Sequence, residues 1–224
     1  MSQRTRSAAL AGAAGCAAVA LAAPPARADF APLAPWELVS AERRSGVVIG
    51  LSAGFGVASV AGFPNDPQKI GFQSAYTITG PKAAFGGAAW VGGALSDWLT
   101  FAIGVGRDAP LGLPAGEAAT MFALEFHVEV FPAYGLGGTL RDVGAYVNAG
   151  TGPAKLTTAG QQVPLIDGGA AAFVGVGVFW ERLRFWRIGA GPYVEAQYFW
   201  ADSVRAPALL FGLRTALYTG KFAK

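Results

Sequence analysis

Residues 122–130 read Phe122-Ala123-Leu124-Glu125-Phe126-His127-Val128-Glu129-Val130, with a large apolar side chain at every second position. Successive side chains of a β-strand point to opposite faces, so one face of this segment is apolar and the other carries three ionisable groups. A strand of a soluble sandwich alternates in the same way but buries its apolar face. Elsewhere in this chain the second face consists mostly of Gly, Ala and scattered charges, which is typical of transmembrane barrel strands with their apolar face toward lipid.

The same alternation recurs along the chain. We predict eight strands, at residues 46–60, 85–95, 98–106, 120–131, 142–150, 170–180, 185–201 and 208–222. Hydrophobic residues make up 53% of the chain, yet no long uncharged run rich in Leu, Ile or Phe follows the first 28 residues. The 32 glycines also disfavour helices. The sequence therefore predicts an all-β protein, an eight-stranded antiparallel up-and-down transmembrane β-barrel.

The first residues have the pattern of a secretory signal peptide. Arg4 and Arg6 precede an apolar segment, and Ala26-Arg27-Ala28 fits a signal-peptidase site. Two alternatives are a membrane anchor, for which the segment is short and poor in Leu and Ile, and lipidation at Cys16. We expect a signal peptide over 1–28, a periplasmic segment over 29–45 and a barrel domain over 46–224. With Cys16 removed, no thiol chemistry remains.

The net charge of +3 belongs to this leader. Three of the 17 basic residues lie in residues 1–28, which hold no acid, so the remainder carries 14 basic and 14 acidic residues. A formally neutral mature chain gives no support for nucleic-acid binding, and we expect no nucleic acid among its partners.

The predicted connections differ in length. Those at 61–84, 107–119 and 151–169 are long, those after the second and sixth strands are tight, and 132–141 is intermediate. Outer-membrane barrels have short periplasmic turns and long extracellular loops, so an even number of strands places both termini in the periplasm. We expect a group of aromatic residues to form girdles at the membrane interfaces: Trp90, Trp98, Trp180, Trp186, Tyr198 and Trp200.

Two segments resemble those of small Gram-negative outer-membrane β-barrel proteins: residues 92–101, Gly-Gly-Ala-Leu-Ser-Asp-Trp-Leu-Thr-Phe, and residues 189–193, Gly-Ala-Gly-Pro-Tyr. The pattern over 46–224 is similar to the eight-stranded barrels of outer membrane protein A and outer membrane protein W. The resemblance implies residence in the cell outer membrane. It also implies that the partners are outer-membrane lipid and the barrel assembly machinery, and that the protein is a monomer.

The inward positions supply a candidate lumen charge network. Its predicted members are Glu125, His127, Glu129, Arg187, Glu195 and Arg214. Charges in a narrow lumen need partners, because an unpaired buried ion is costly. Two interpretations stay open, a plug of salt bridges that fills the barrel and a gate that tunes ion passage. A single His flanked by two carboxylates is a poor metal site, and we expect neither a metal nor a cofactor.

Three functions remain after this reading. The first is a small outer-membrane barrel with a structural role or passage of small solutes, without catalytic activity. The second is a surface barrel whose long loops bind a ligand or partner. The third is a lipid-modifying hydrolase that would use His127, but no serine lies two positions from it, and a Ser nucleophile needs a base within hydrogen-bond reach.

Overall fold

The computed structural model describes residues 44–136 and 138–220. Within these ranges the chain forms eight long strands: β1 Gly46–Ala58, β2 Lys82–Ser96, β3 Leu99–Pro110, β4 Glu117–Val130, β5 Val143–Gly152, β6 Ala171–Trp180, β7 Ile188–Ala201 and β8 Val204–Tyr218. Short strands lie between them at Ala61–Gly62, Thr77–Ile78, Ala154–Thr158, Ile166–Asp167 and Leu183–Phe185, and 3-10 turns lie at Gln73–Ala75, Tyr134–Leu136 and Gly138–Asp142. No helix in the described part of the chain is long and apolar enough to cross a membrane.

The eight strands form a closed barrel. Each is antiparallel to its neighbour in sequence, and β1 also pairs with β8, from Val48 opposite Tyr218 to Ala58 opposite Ala208. The order is that of an up-and-down meander, so β4 and β8 lie on opposite walls. The predicted fold class is confirmed.

The alternation of the sequence sets the two faces. Phe126 is 58% exposed on the outer face, whereas Glu125 and His127 next to it are 2% exposed in the interior. The same alternation holds in β1, where Val47, Ile49 and Leu51 are exposed and Val48, Gly50 and Ser52 are buried. An exposed apolar belt therefore surrounds the barrel. Its larger members include Phe55, Phe85, Val91, Phe101, Ile103, Val105, Leu124, Val147, Val176, Val178, Val194, Leu209, Phe211 and Leu213.

The connections differ from the prediction at several places. The third and fourth strands extend further than expected, so the connection between them shortens to residues 111–116. β8 begins at Val204 and ends at Tyr218, which leaves only Asp202 and Ser203 between β7 and β8. Two connections at this end of the barrel, 59–81 and 153–170, are long, and we call this end the loop end. The opposite end carries the connections 97–98, 131–142 and 181–187, and we call it the turn end.

One aromatic residue lies elsewhere than predicted. Trp90 was expected in an interface girdle, but it is 5% exposed inside the barrel, and its ring stacks on His127 at 4.6 Å between centroids. The reason is its phase in β2, which places it opposite Gly50, where the absence of a side chain leaves room for the indole. The other aromatic residues of that group are all exposed near strand ends.

The interior is filled differently along its length. Toward the loop end, an apolar cluster occupies the cross-section, with Met121, Leu156, Ile166, Phe173, Phe199 and Leu210 among its members. Toward the turn end, the filling is polar and aromatic.

Residues 1–43 and 221–224 lie outside the described residues, so the predicted signal peptide, most of the 29–45 segment and the end of the predicted last strand are not described.

Candidate functional site: the polar barrel interior

A chain of hydrogen bonds crosses the middle of the barrel. Arg214 on β8 contacts Glu129 on β4 at 2.6 Å, from Nη2 to Oε1. The same Oε1 lies 2.7 Å from His127 Nε2, and His127 Nδ1 lies 2.5 Å from Asn148 Oδ1. Asn148 Nδ2 then donates to Glu195 Oε1 at 2.9 Å. Four of the six predicted network residues are thus members of one continuous path.

Both ring nitrogens of His127 contact side-chain oxygens. Asn148 donates through Nδ2 to Glu195, so its Oδ1 faces the imidazole and accepts. Glu129 Oε1, which also accepts from Arg214, is an acceptor for the other ring nitrogen. Both imidazole nitrogens are therefore engaged by side-chain oxygens. The Arg214 guanidinium compensates the carboxylate of Glu129, as the low dielectric of an interior demands.

Aromatic rings enclose these charges. The Arg214 guanidinium lies 3.6 Å from the centroid of the Phe179 ring, and the His127 ring lies between Trp90 and Tyr146, with centroids at 4.6 and 5.2 Å. Cations over ring faces gain from the ring quadrupole, more so where water is excluded. The rings also fill the space around the ion pair, because Phe131, Tyr146, Phe179 and Tyr193 form one buried cluster.

Two interior carboxyl groups, those of Glu125 and Asp108, lie outside this hydrogen-bonded path. Glu125 and Asp108 are each 2% exposed, and among the described residues Glu125 Oε1 and Asp108 Oδ1 have no hydrogen-bond partner. Both lie within electrostatic reach of Glu195, another carboxyl group. Glu125 therefore lies in the barrel interior but is not part of the hydrogen-bonded path from Arg214 to Glu195. In the described part of the chain, no group of three or more His, Cys, Asp or Glu could hold a metal ion.

A second ionic cluster closes the turn end. The Arg44 guanidinium is fully buried, lies 3.4 Å from the centroid of the Phe131 ring and donates to Glu181 Oε2 at 3.2 and 3.3 Å. Its Nη2 also contacts Asp142 Oδ1 at 3.1 Å. Glu181 accepts in addition from Arg184 at 2.6 Å.

The two clusters are connected. Glu181 Oε1 accepts from the Tyr218 hydroxyl at 2.6 Å and lies 3.8 Å from Arg214 Nη2. A continuous set of charged side chains therefore runs from the turn end to the barrel centre. A small cavity remains at the barrel centre, and the centre of a water molecule can occupy about 10 Å³ of it. Its lining includes His127, Asn148, Tyr193 and Glu195. That volume holds about one water.

Arg187 lies apart from this network. It was predicted to face the lumen from the seventh strand, but β7 begins at Ile188, and Arg187 lies in the turn before it. Its guanidinium is 4.9 Å from the centroid of the Trp186 ring and donates to the Thr219 carbonyl at 3.4 Å. The short strand Leu183–Phe185 pairs with the start of β7, so Arg187 lies in a hairpin turn at the turn end of the barrel.

Sequence reasoning missed Arg44, Glu181 and Asp108. Arg44 precedes the first predicted strand, Glu181 lies in a predicted turn, and Asp108 lies in a predicted loop, so none was assigned a face. Extending the alternation of β3 by two residues would have placed Asp108 inside, because it has the same parity as Gly104 and Gly106. No comparable sequence signal marks Arg44.

A scan against protein-family models finds no match, and a search of curated proteins finds none either. The solved structures that match include small barrels. Neisserial surface protein A is 14% identical with a TM-score of 0.46, over 75% of this chain and 97% of its own. Ail, the attachment invasion locus protein of Yersinia pestis, is 12% identical with a TM-score of 0.45, over 75% and 98%. The outer membrane protein OprG from Pseudomonas aeruginosa is 12% identical with a TM-score of 0.39, over 79% and 98%. The chain is thus similar to small eight-stranded outer-membrane barrels.

Proposed function

We propose that this protein is an outer-membrane β-barrel with a structural role, whose interior is a sealed plug and not a path for solutes. The observation that carries the proposal is the filling of the whole bore. The apolar cluster occupies the loop end, the Arg214–Glu129–His127 path crosses the centre, and the Arg44–Glu181 cluster occupies the turn end. An eight-stranded barrel is just wide enough for its side chains to fill.

The exposed apolar belt supports placement in a membrane. A soluble protein seldom exposes an apolar patch larger than a few hundred Å², whereas this belt extends around the barrel. Exposed Trp98 and Trp180 lie near the turn end, and exposed Tyr198 and Trp200 stack on each other near the loop end, at 5.8 Å between centroids. Aromatic residues at both rims are the pattern of interface girdles.

The environment of His127 supports a role without catalysis. Both ring nitrogens are engaged by Asn148 and Glu129, so neither is available to take a proton from a nucleophile. The ring is 2% exposed and lies behind the barrel wall, where a lipid substrate cannot reach it.

Two measurements test the proposal. Cell fractionation, with a shift in gel mobility between heated and unheated samples, should find a folded barrel in the outer membrane; a soluble periplasmic pool would contradict this. In planar lipid bilayers the purified barrel should show no steady ion conductance. A stable conductance of the unaltered protein would show that the interior is a path and would overturn the plug.

A second candidate, binding at the loop end, has one observation in its favour. A pocket of about 250 Å³ lies between the first connection and the turn from β7 to β8. Phe63 and Tyr76 pack edge to face in its wall at 5.1 Å, and Asp202 and Arg205 also line it. Such a mixture of rings and polar groups suits a small polar ligand. Tyr76→Ala should abolish ligand or partner binding by intact cells without changing barrel assembly, if the candidate is right.

A further inference from the structure

A groove lies on the outer face of the barrel, across β1 to β4. Its volume is about 530 Å³, within the range of small-ligand pockets, and its lining is almost entirely apolar. Small outward residues form its floor: Ala53 on β1, Gly87 and Ala89 on β2, and Ala109 on β3. Leu51, Phe85, Val105 and Phe122 form its walls.

The strand register explains the groove. Gly87 is paired with Ala53 on one side and with Arg107 on the other, and Ala89 is paired with Leu51 and Val105. Two successive outward positions of β2 therefore lack large side chains, and Ala53 beside Gly87 is small as well. Gly87 cannot be enlarged, because a Cβ there would overlap the carbonyl oxygen of Ser52 on β1.

Arg107 stands at one edge of this groove. It is exposed on the outer face, and no hydrogen bond or ion pair joins it to another residue of the described chain. Arg107 is eight residues beyond Leu99, the first residue of β3 after the tight turn. At ~3.3 Å per residue and a tilt of ~40°, this places it about 20 Å above the turn end, near the far edge of a ~25 Å apolar band.

We propose that the groove binds one acyl chain of a lipid with an anionic headgroup, whose phosphate pairs with Arg107. The proposal rests on the proposed membrane location. The residues that line an empty apolar groove lose dispersion contacts, so filling the groove is favourable. In a bilayer this face is surrounded by hydrocarbon chains, which can fill it. The position suits this pairing, because Arg107 lies near the outer edge of the apolar band, and Leu51, Ala89 and Val105 lie nearer the middle of that band. Guanidinium groups pair with phosphate through parallel hydrogen bonds.

A second copy of the chain is the alternative occupant. In a two-fold contact the same patch is used by both subunits, so the Arg107 of each copy would be brought toward the other. Like charges in a desolvated contact oppose such a dimer, whereas an anionic lipid neutralises the charge.

The test uses the full mature chain in vesicles of phosphatidylcholine with a minor share of phosphatidylglycerol, followed by native mass spectrometry of the extracted protein. The unaltered barrel should retain one phosphatidylglycerol. Ala89→Leu fills the groove and should reduce the lipid-bound fraction about tenfold. Its matched control is Ala196→Leu, at a small outward position on β7 outside the groove, which should leave retention unchanged.

The charge is tested separately. Arg107→Gln should remove the preference for phosphatidylglycerol over phosphatidylcholine, and Arg182→Gln, at an exposed arginine of the turn end outside the groove, should keep it. Equal retention by the Ala89 and Ala196 variants overturns the groove, and an unchanged preference in Arg107→Gln overturns the headgroup contact. An unaltered barrel that comes without lipid, or as a dimer, also overturns the inference. Heat-dependent gel mobility of each sample shows separately whether the chain inserted, so a failure of the membrane proposal is distinguishable.

Discussion

Arg214 and Glu129 meet across the bore of the barrel, with Nη2 and Oε1 2.6 Å apart, although their strands β8 and β4 lie on opposite walls. The contact is fully buried and is extended on one side by His127 and on the other by Glu181. The contact joins two opposite walls of the barrel, which hydrogen bonds between neighbouring strands cannot do.

Breaking this pair should be strongly destabilising. Arg214→Ala leaves Glu129 buried with His127 as its remaining side-chain partner, and we expect a loss of ~3–5 kcal/mol in the free energy of unfolding. Urea titration in detergent micelles measures it. In a double-mutant cycle, Glu129→Gln should recover part of the loss, with a coupling of ~0.5–3 kcal/mol. Strictly additive effects would show that the two residues do not act as a pair.

Glu125→Gln is the matched comparison for Glu129, at the inward glutamate four residues before it on the same strand. Glu125 Oε1 has no hydrogen-bond partner among the described residues, and the nearby acids Glu195 and Asp108 repel its charge. We therefore expect the unfolding free energy to stay within ~1 kcal/mol of its original value or to rise. A loss as large as that of the Arg214 variant would mean that Glu125 has a cationic partner.

Arg44→Ala should weaken the turn end less than Arg214→Ala weakens the centre. Glu181 loses Arg44 but keeps its contacts to Arg184 and Tyr218, so its charge stays compensated. We expect a loss of ~1.5–3 kcal/mol, measured by the same titration. Arg44→Lys keeps the charge but cannot span Glu181 and Asp142 with a planar fork. Its free energy of unfolding should therefore lie between those of the unaltered protein and of Arg44→Ala. A variant as stable as the original protein would contradict a sealing role for Arg44.

Phe126→Arg should block insertion. Phe126 is exposed on the outer face of β4, midway along the strand, where Arg facing lipid costs ~2–4 kcal/mol. Trp98→Arg, next to the tight turn at the rim, should insert, because that cost falls to ~0–1 kcal/mol near the interface. Heat-dependent gel mobility after refolding into vesicles reports both. Equal insertion of the two variants would place the outer face of β4 outside hydrocarbon.

Ala123→Ser tests the opposite face of the same strand. The sequence predicts that this change is tolerated, because Ala123 faces the lumen. The structure adds that Ala123 is fully buried in the apolar cluster, so the new hydroxyl must find a partner there. We expect insertion as in the unaltered protein, with a stability loss of ~1–3 kcal/mol in the urea titration. Failure to insert would mean that the loop-end cluster forms before the barrel closes.

The sequence alone determined which side chains face inward and which face outward. The two-residue period of a β-strand is local, so Phe126 and Glu125 take opposite faces whatever the rest of the chain does. Eight such segments with tight turns between several of them were enough for the barrel. The position of Trp90 was misjudged, because it lies at the centre of the predicted strand 85–95 and its phase in β2 places it inside the barrel.

Only the tertiary structure decided which charges meet. Glu129 is paired with Arg214 and Glu125 is not, although both glutamates face inward from the same strand four residues apart. The difference depends on how far β8 is shifted relative to β4 around the closed barrel, which is the sum of the four strand registers between them and is set by no single segment. Arg44 could not be predicted for the same reason, since its partners Asp142 and Glu181 lie about a hundred or more residues away and approach it only when the barrel closes.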